Sequence, residues 1–251
     1  MRFMWILSGK ELLKYVSFTF LFLFAVGIIY IESNSIPTLT TQKPAAIYKV
    51  NTEQKMVALT FDISWGKQAP EPILDILEKK NVRNVTFFLS GPWAKENSEI
   101  VKRIDTLGME VASHGWKHVN YSEYDEAFVK EQILMTHEVL LDITGKEPNL
   151  LRTPNGDFDK ETLEIAHSLG YSVIQWDTDS KDWMRPGADK IVNNVLSKTF
   201  PGDIILLHAS DSALQTIDAL PRIIDGLNEK GYKIVTVTQL LENASISEQI
   251  E

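Results

Sequence analysis

The chain has 251 residues, 44% of them hydrophobic, which suffices for one large domain with a substantial core. It has no cysteine, which rules out disulfides, thiolate zinc sites and a cysteine nucleophile. The formal net charge is -9 and the 25 Lys and Arg are scattered without a basic stripe, so no nucleic-acid partner is expected. Nothing in the composition reports on oligomeric state.

Taken in chain order, the first feature is Tyr15–Ile31, an apolar run without a charge, preceded by Arg2, Lys10 and Lys14 and followed by Glu32. It sits at the short end of the roughly 20 apolar residues that match a bilayer, yet exceeds the roughly 7–15 of a signal-peptide core. No small-x-small cleavage site directly follows. A single-pass signal anchor over 15–31 is therefore expected, with residues 1–14 cytoplasmic and the remainder outside the cytoplasm at the cell membrane. Residues 32–51 turn to Ser, Asn, Thr, Pro, Gln and Lys, with Pro37 and Pro44 spaced through them, and read as an extended linker. A folded domain is expected over 52–245, with a polar tail at 246–251.

Within that domain, short apolar runs alternate with helix-length amphipathic stretches. Strands are predicted at 56–61, 85–89, 109–112, 150–152, 171–176, 203–207 and 232–237. Helices are predicted at 71–79, 94–107, 126–143, 160–169, 188–196 and 217–230, with a short one near 238–243; Gly108, Gly145, Gly170 and Gly231 stand where helices should stop. Seven strands with helical crossovers predict a parallel α/β architecture with helices outside and side chains filling the interior.

The polar residues just after each strand are Asp62, His114 and His118, Arg152, then Asp177, Asp179 and Asp182, and finally His208. In a parallel barrel all strand C-termini share one rim, so these residues should converge. Any one of them alone would read as a turn former or helix cap. In succession they supply the residue types of metal and acid–base chemistry.

Each group suggests a role. The Ser113–His118 stretch places two imidazoles four residues apart, which on a helical turn puts both on one face, within reach of one cation. His208 ends a strongly apolar strand, and an imidazole there suits proton donation if a carboxylate adjoins it, which Asp179-Ser180-Lys181-Asp182 can provide. Arg152 can grip a carboxylate in bidentate fashion, and the Pro154-Asn155-Gly156 turn can offer backbone N–H groups to an anion. Trp65, Trp116, Trp176 and Trp183 fall close to the rim. Exposed, they would suit sugar faces, although core packing is the commoner use of tryptophan. His137 and His167 lie in helices and read as surface or packing residues.

Together Thr60-Phe61-Asp62, Ser113-His114-Gly115-Trp116-Lys117-His118, Arg152-Thr153-Pro154, Asp179-Ser180-Lys181-Asp182-Trp183 and Leu206-Leu207-His208 resemble the five ordered motifs of the polysaccharide deacetylases, the NodB-homology or carbohydrate esterase 4 family. In the Thr60–Ser64 variant and the anchor, the chain is similar to the sporulation-associated PdaB type. The resemblance implies a distorted (β/α)7 TIM-like barrel and a zinc-dependent (or other divalent cation-dependent) N-deacetylase. The implied substrate is an N-acetylated glycan, peptidoglycan by preference, in a cell-wall and sporulation setting. It further implies Asp62 as catalytic base, His114 and His118 as metal ligands, Arg152 as the residue orienting the base, His208 as general acid and Asp179 as the acid tuning it. Trp183 and Leu206 would wall the acetyl pocket, and the Asn155 N–H would meet the oxyanion.

The sequence departs from this pattern at Ile63, where the family has its third metal ligand, an aspartate. Three outcomes follow: waters complete the coordination, Asp62 is recruited as a ligand, or no metal binds. The last makes the chain a catalytically silent glycan-binding barrel.

Overall fold

Strand β2 (Met56–Ile63) is the spine of the fold, buried along its whole length. The computed structural model describes Thr19, residues 44–243, and residues 245 and 246. Apart from Thr19, the expected anchor lies outside these residues, as does most of the expected linker, and among the described residues no helix is long and apolar enough to cross a membrane.

Around β2 run β3 (Thr86–Leu89), β4 (Glu110–Ser113), β5 (Leu150–Leu151), β6 (Ser172–Val173), β7 (Thr178–Asp179), β8 (Ile204–His208) and β9 (Lys233–Val235). They form a curled parallel sheet in the order β6-β5-β4-β3-β2-β8-β7, with β9 beside the start of β2. This is the distorted (β/α) barrel expected of the sequence. The two-residue β7 was not foreseen, because it carries no apolar run of its own. Two further short strands, β1 (Val50–Asn51) and β10 (Ser245–Ile246), pair antiparallel as a separate ribbon.

The register of β2 explains why its eight residues are all apolar or buried. Side chains alternate across a strand, so Val57, Leu59, Phe61 and Ile63 enter the layer between sheet and helices, while Met56 and Ala58 enter the interior with Phe88, Ala112 and Ile204. The helix over Thr216–Glu229 shows the matching stripe, burying Ala219, Leu220, Ile223, Ile224 and Leu227. Each Leu or Ile buried there contributes about 1.5–3 kcal/mol. Helix starts follow local chemistry: Asp125 accepts from Phe128 N and Asp159 from Thr162 N, and Thr236 with Gln239 forms a capping box.

Two boundaries differ from the sequence reading. The helix expected over 94–107 is two helices, Gly91–Glu96 and Ser98–Thr106, broken at Asn97, whose side chain donates to the Trp93 carbonyl and competes with the helical ladder. The folded unit begins at Pro44, so the end of the expected linker belongs to it. Ala46, Ile47 and Val50 are buried there, and Ile47 bridges Ile174 beside β6. A polar, proline-spaced composition masked these three apolar contacts.

Candidate functional site

The rim at the strand C-termini encloses a cavity of about 420 Å³. Asp62, His114, His118 and His208 line it. Asn155, Asp179, Trp183 and Leu206 are also in its wall. Arg152 and Asp182 stand behind it, bonded to Asp62 and His208, and Asp177 pairs instead with Lys49 at 2.7 Å. Among the expected tryptophans, Trp65 and Trp176 join Trp183 at the wall, while Trp116 packs over Gly91. His137 is held away from the rim by Tyr171 and Glu147.

Arg152 is the structural centre of the site. Its side chain is fully buried in the barrel interior, with the guanidinium 4.1 Å from the centroid of the Phe88 ring. Nη1 donates to Asp62 Oδ1 at 2.7 Å and to Thr60 Oγ1 at 2.9 Å, Nη2 to the Gln175 carbonyl at 3.0 Å and Nε to the Ile174 carbonyl at 3.2 Å. The expected bidentate grip is therefore a single contact, because Thr60 and the two carbonyls take the rest of the fork. Burial alone would push the Asp62 carboxyl up. The Arg152 charge, with smaller contributions from His114 and His208, outweighs burial and holds it below the usual carboxylate value. Asp62 is thus an ionised carboxylate with Oδ2 turned toward His114, 3.8 Å from its Nε2.

His114 Nδ1 lies 2.7 Å from the Arg152 carbonyl. A carbonyl only accepts, so Nδ1 carries the proton and Nε2 presents a lone pair. Burial pushes this imidazole down to about 4, against the pull of Asp62, so it is neutral at physiological pH. His118 is exposed, its ring centroid 5.5 Å from that of His114. The two come together without the helical turn the spacing suggested: residues 114–118 are irregular, and Gly115 at φ +67° makes the bend, where a Cβ would lie 2.0 Å from the Tyr121 hydroxyl oxygen.

His208 receives its carboxylate partner from Asp182, not Asp179. Asp182 is fully buried; Oδ1 accepts from His208 Nδ1 at 2.7 Å, and Oδ2 accepts from His208 N and Thr216 Oγ1, each at 2.7 Å. Burial would lower the imidazole, but the Asp182 hydrogen bond and charge raise it above its ordinary value. Asp179 accepts from Lys181 N at 2.7 Å and acts on His208 only through its charge. The motif contains both acids, and only the turn between them, with Lys181 at φ +57°, decides which one reaches inward. In the Pro154–Gly156 turn, Pro154 has no N–H and the N–H groups of Gly156 and Asp157 bond within the turn, while Asn155 and Gly156 both line the cavity.

Sequence reasoning did not single out Ser210 and Asp211. Ser210 Oγ accepts from Ser64 N at 3.1 Å, and Asp211 binds the loop after β2. The signal for them was only their place immediately after His208.

A catalytic zinc ordinarily needs three protein ligands, and the donors here fall short. Ile63 is fully buried in the outer layer with Phe61, Phe87 and Leu89 and does not line the cavity. Its backbone continues β2, pairing with Leu89, so its side chain faces away from Asp62. Asp62 gives one oxygen to Arg152 and turns only Oδ2 toward the cavity. Among the described residues, no group of three or more His, Cys, Asp or Glu side chains is arranged to hold a metal ion.

Residues 49–174 match the polysaccharide deacetylase family. The chain belongs to that family. A peptidoglycan-N-acetylglucosamine deacetylase of Bacillus cereus is 37% identical over 75% of this chain and 69% of its own. Among solved structures, the Bc1960 peptidoglycan N-acetylglucosamine deacetylase superposes with a TM-score of 0.77 at 34% identity, over 82% of this chain and 96% of its own. A CE4 family pseudoenzyme from Bacillus anthracis superposes with a TM-score of 0.76, also at 34% identity, over 82% of this chain and 72% of its own. Enzymatic activity was restored in a mutant of that pseudoenzyme. The expectation of a working metal-dependent N-deacetylase is corrected on these grounds: the donor set is incomplete at Ile63, and a pseudoenzyme is among the structures most similar to this polysaccharide deacetylase fold.

Proposed function

We propose that this chain is a deacetylase-like glycan-binding protein, catalytically weak or inactive, that holds an N-acetylated cell-wall glycan at the rim cavity. The observation that carries the reading is the placement of Ile63. The rim keeps its acid–base residues while the strand turns the missing ligand's position into the outer layer.

The remaining residues suit binding and orientation. Asp62, ionised by Arg152, can accept from a sugar hydroxyl or an acetamido N–H, and neutral His114 offers a lone pair at Nε2. His208, held by Asp182, presents its other ring nitrogen to the cavity as a proton donor. His114 and His118 are the residues that would touch a cation, and Lewis-acid polarisation of an acetyl carbonyl is what a divalent ion supplies in this family. Asn155, Leu206 and Trp183 are the substrate-contacting residues of the reading. The Tyr15–Ile31 run would tether the barrel to the outer face of the cell membrane, beside peptidoglycan, which the names of relatives support as the glycan.

The test is to purify the full chain in detergent and measure bound zinc, acetate release from acetylated glycans, and glycan binding. Binding with little or no acetate release is the expected result. Acetate release at the rate of an active relative assayed alongside refutes the reading, as does absence of glycan binding.

A further inference from the structure

Trp65 is an oddity that the acid–base residues of the rim do not explain. It is a large apolar side chain, 48% exposed, on the wall of the cavity and outside every core cluster. Scattered exposed apolar residues are ordinary; one standing at a polar cavity beside a second exposed indole, Trp183 at 51%, is informative.

The backbone that carries Trp65 is tied on every side. Ser64 N donates to Ser210 Oγ at 3.1 Å, and Trp93 Nε1 donates to the Gly66 carbonyl at 2.7 Å. The Asp211 carboxylate accepts three successive backbone N–H groups, from Lys67 at 3.1 Å, Gln68 at 2.8 Å and Ala69 at 3.0 Å. Gly66 lies so close over this carboxylate, at φ +87°, that a Cβ there would sit 2.1 Å from Asp211 Cγ. The indole itself rests edge-to-face on His118, with centroids 5.6 Å apart. A rigid loop that nevertheless leaves its largest side chain in solvent gains nothing for the core. It does lower the ordering cost of a ligand that covers the indole.

The shape and polarity of the surroundings choose the ligand. An indole face accepts a flat array of C–H bonds. The hydrogen-bonding groups around it, including Asp179, Ser212 and His208, suit hydroxyl and amide edges. The carboxylates of Asp62 and Asp179 at the wall and the net charge of -9 oppose a polyanion. A pyranose ring combines the required apolar face and polar rim without charge. We infer that Trp65 is a stacking platform for a pyranose ring of the bound glycan, and that Asp211 is the positioning residue that holds the platform. This rests on the glycan-binding function proposed above and assigns the residue that grips the sugar face.

The experiment is calorimetric titration of the full chain, in detergent, with an N-acetylglucosamine tetramer. Trp65→Ala is expected to weaken binding about tenfold, the loss of one stacking contact of about 1.4 kcal/mol. Trp65→Phe should stay within about threefold of wild type, and the melting temperature should not move in either variant, since the side chain is outside the core. Asp211→Ala should weaken the same binding and broaden the Trp65 indole N–H resonance while leaving that of Trp183 sharp; Asp211→Asn should recover part of both. Wild-type binding with Trp65→Ala within about twofold overturns the platform and leaves the glycan reading standing. A wild-type chain that does not bind the tetramer overturns both.

Discussion

Replacing Ile63 with aspartate separates the chemical defect from the structural one. Ile63 is fully buried, and its strand is held in register by Leu89 and by the Ser90 N–H on its carbonyl. An aspartate kept in that direction leaves a carboxylate in an apolar layer, at a cost of several kcal/mol. If the strand end instead rotates the new carboxylate into the cavity, the outer layer loses a buried isoleucine, which costs about 2–5 kcal/mol. Taking about 3 kcal/mol, and about 2–4 °C per kcal/mol for a protein of this size, chelator-treated Ile63→Asp should melt about 6–12 °C below wild type. In the rotated arrangement the carboxylate joins His114 and His118, and zinc at about 100 times its Kd returns about 2.7 kcal/mol, most of the loss. Melting curves by circular dichroism with and without zinc, alongside bound-metal analysis, read both quantities. A chelated variant as stable as wild type would refute the outer-layer placement of Ile63. A destabilised variant that zinc does not rescue would refute access from this strand position to the rim.

Three further outcomes follow from the site. Arg152→Met strands the buried Asp62 carboxylate and should cost about 3–5 kcal/mol in urea unfolding, with Asp62→Asn in the same chain recovering part; an unchanged midpoint would show that the pair is not buried. His208 should titrate in NMR above the ordinary histidine value of about 6.5, and Asp182→Asn should bring it down. Because the folded value is the raised one, the stabilisation is complete below the ordinary value and fades as pH rises through the folded one; an Asp182→Asn protein with the same titration would contradict the pairing. His114 behaves oppositely. With its folded value at about 4, only the unfolded chain takes up a proton between about 6.5 and 4, so stability should fall as pH drops through that window, and His114→Gln should flatten the slope.

Most of the architecture was legible because its signals are local. Apolar runs of strand length, amphipathic stretches of helix length, and the helix-ending glycines Gly108, Gly145, Gly170 and Gly231, all at positive φ, sit in the sequence where the elements lie. The convergence of Asp62, His114, Arg152 and His208 was legible too, since a parallel sheet brings its strand ends to one rim. The break at Asn97 and the docking of Ile47 beside Ile174 depend on contacts that no short window of sequence contains.

The sequence by itself determined which chemical groups stand at the rim, and that an isoleucine follows Asp62. Only the tertiary structure decided what that isoleucine does. The apolar run predicts a strand ending at Phe61; parallel pairing with β3 carries it through Ile63. Since adjacent side chains in a strand point to opposite faces, that continuation puts Asp62 in the cavity against Arg152 and Ile63 in the layer beneath the helices. Long-range geometry likewise selected Asp182 over Asp179 for His208, and bound the Trp65 loop to Asp211, because hydrogen-bond partners are chosen by where separate loops meet and not by their spacing along the chain.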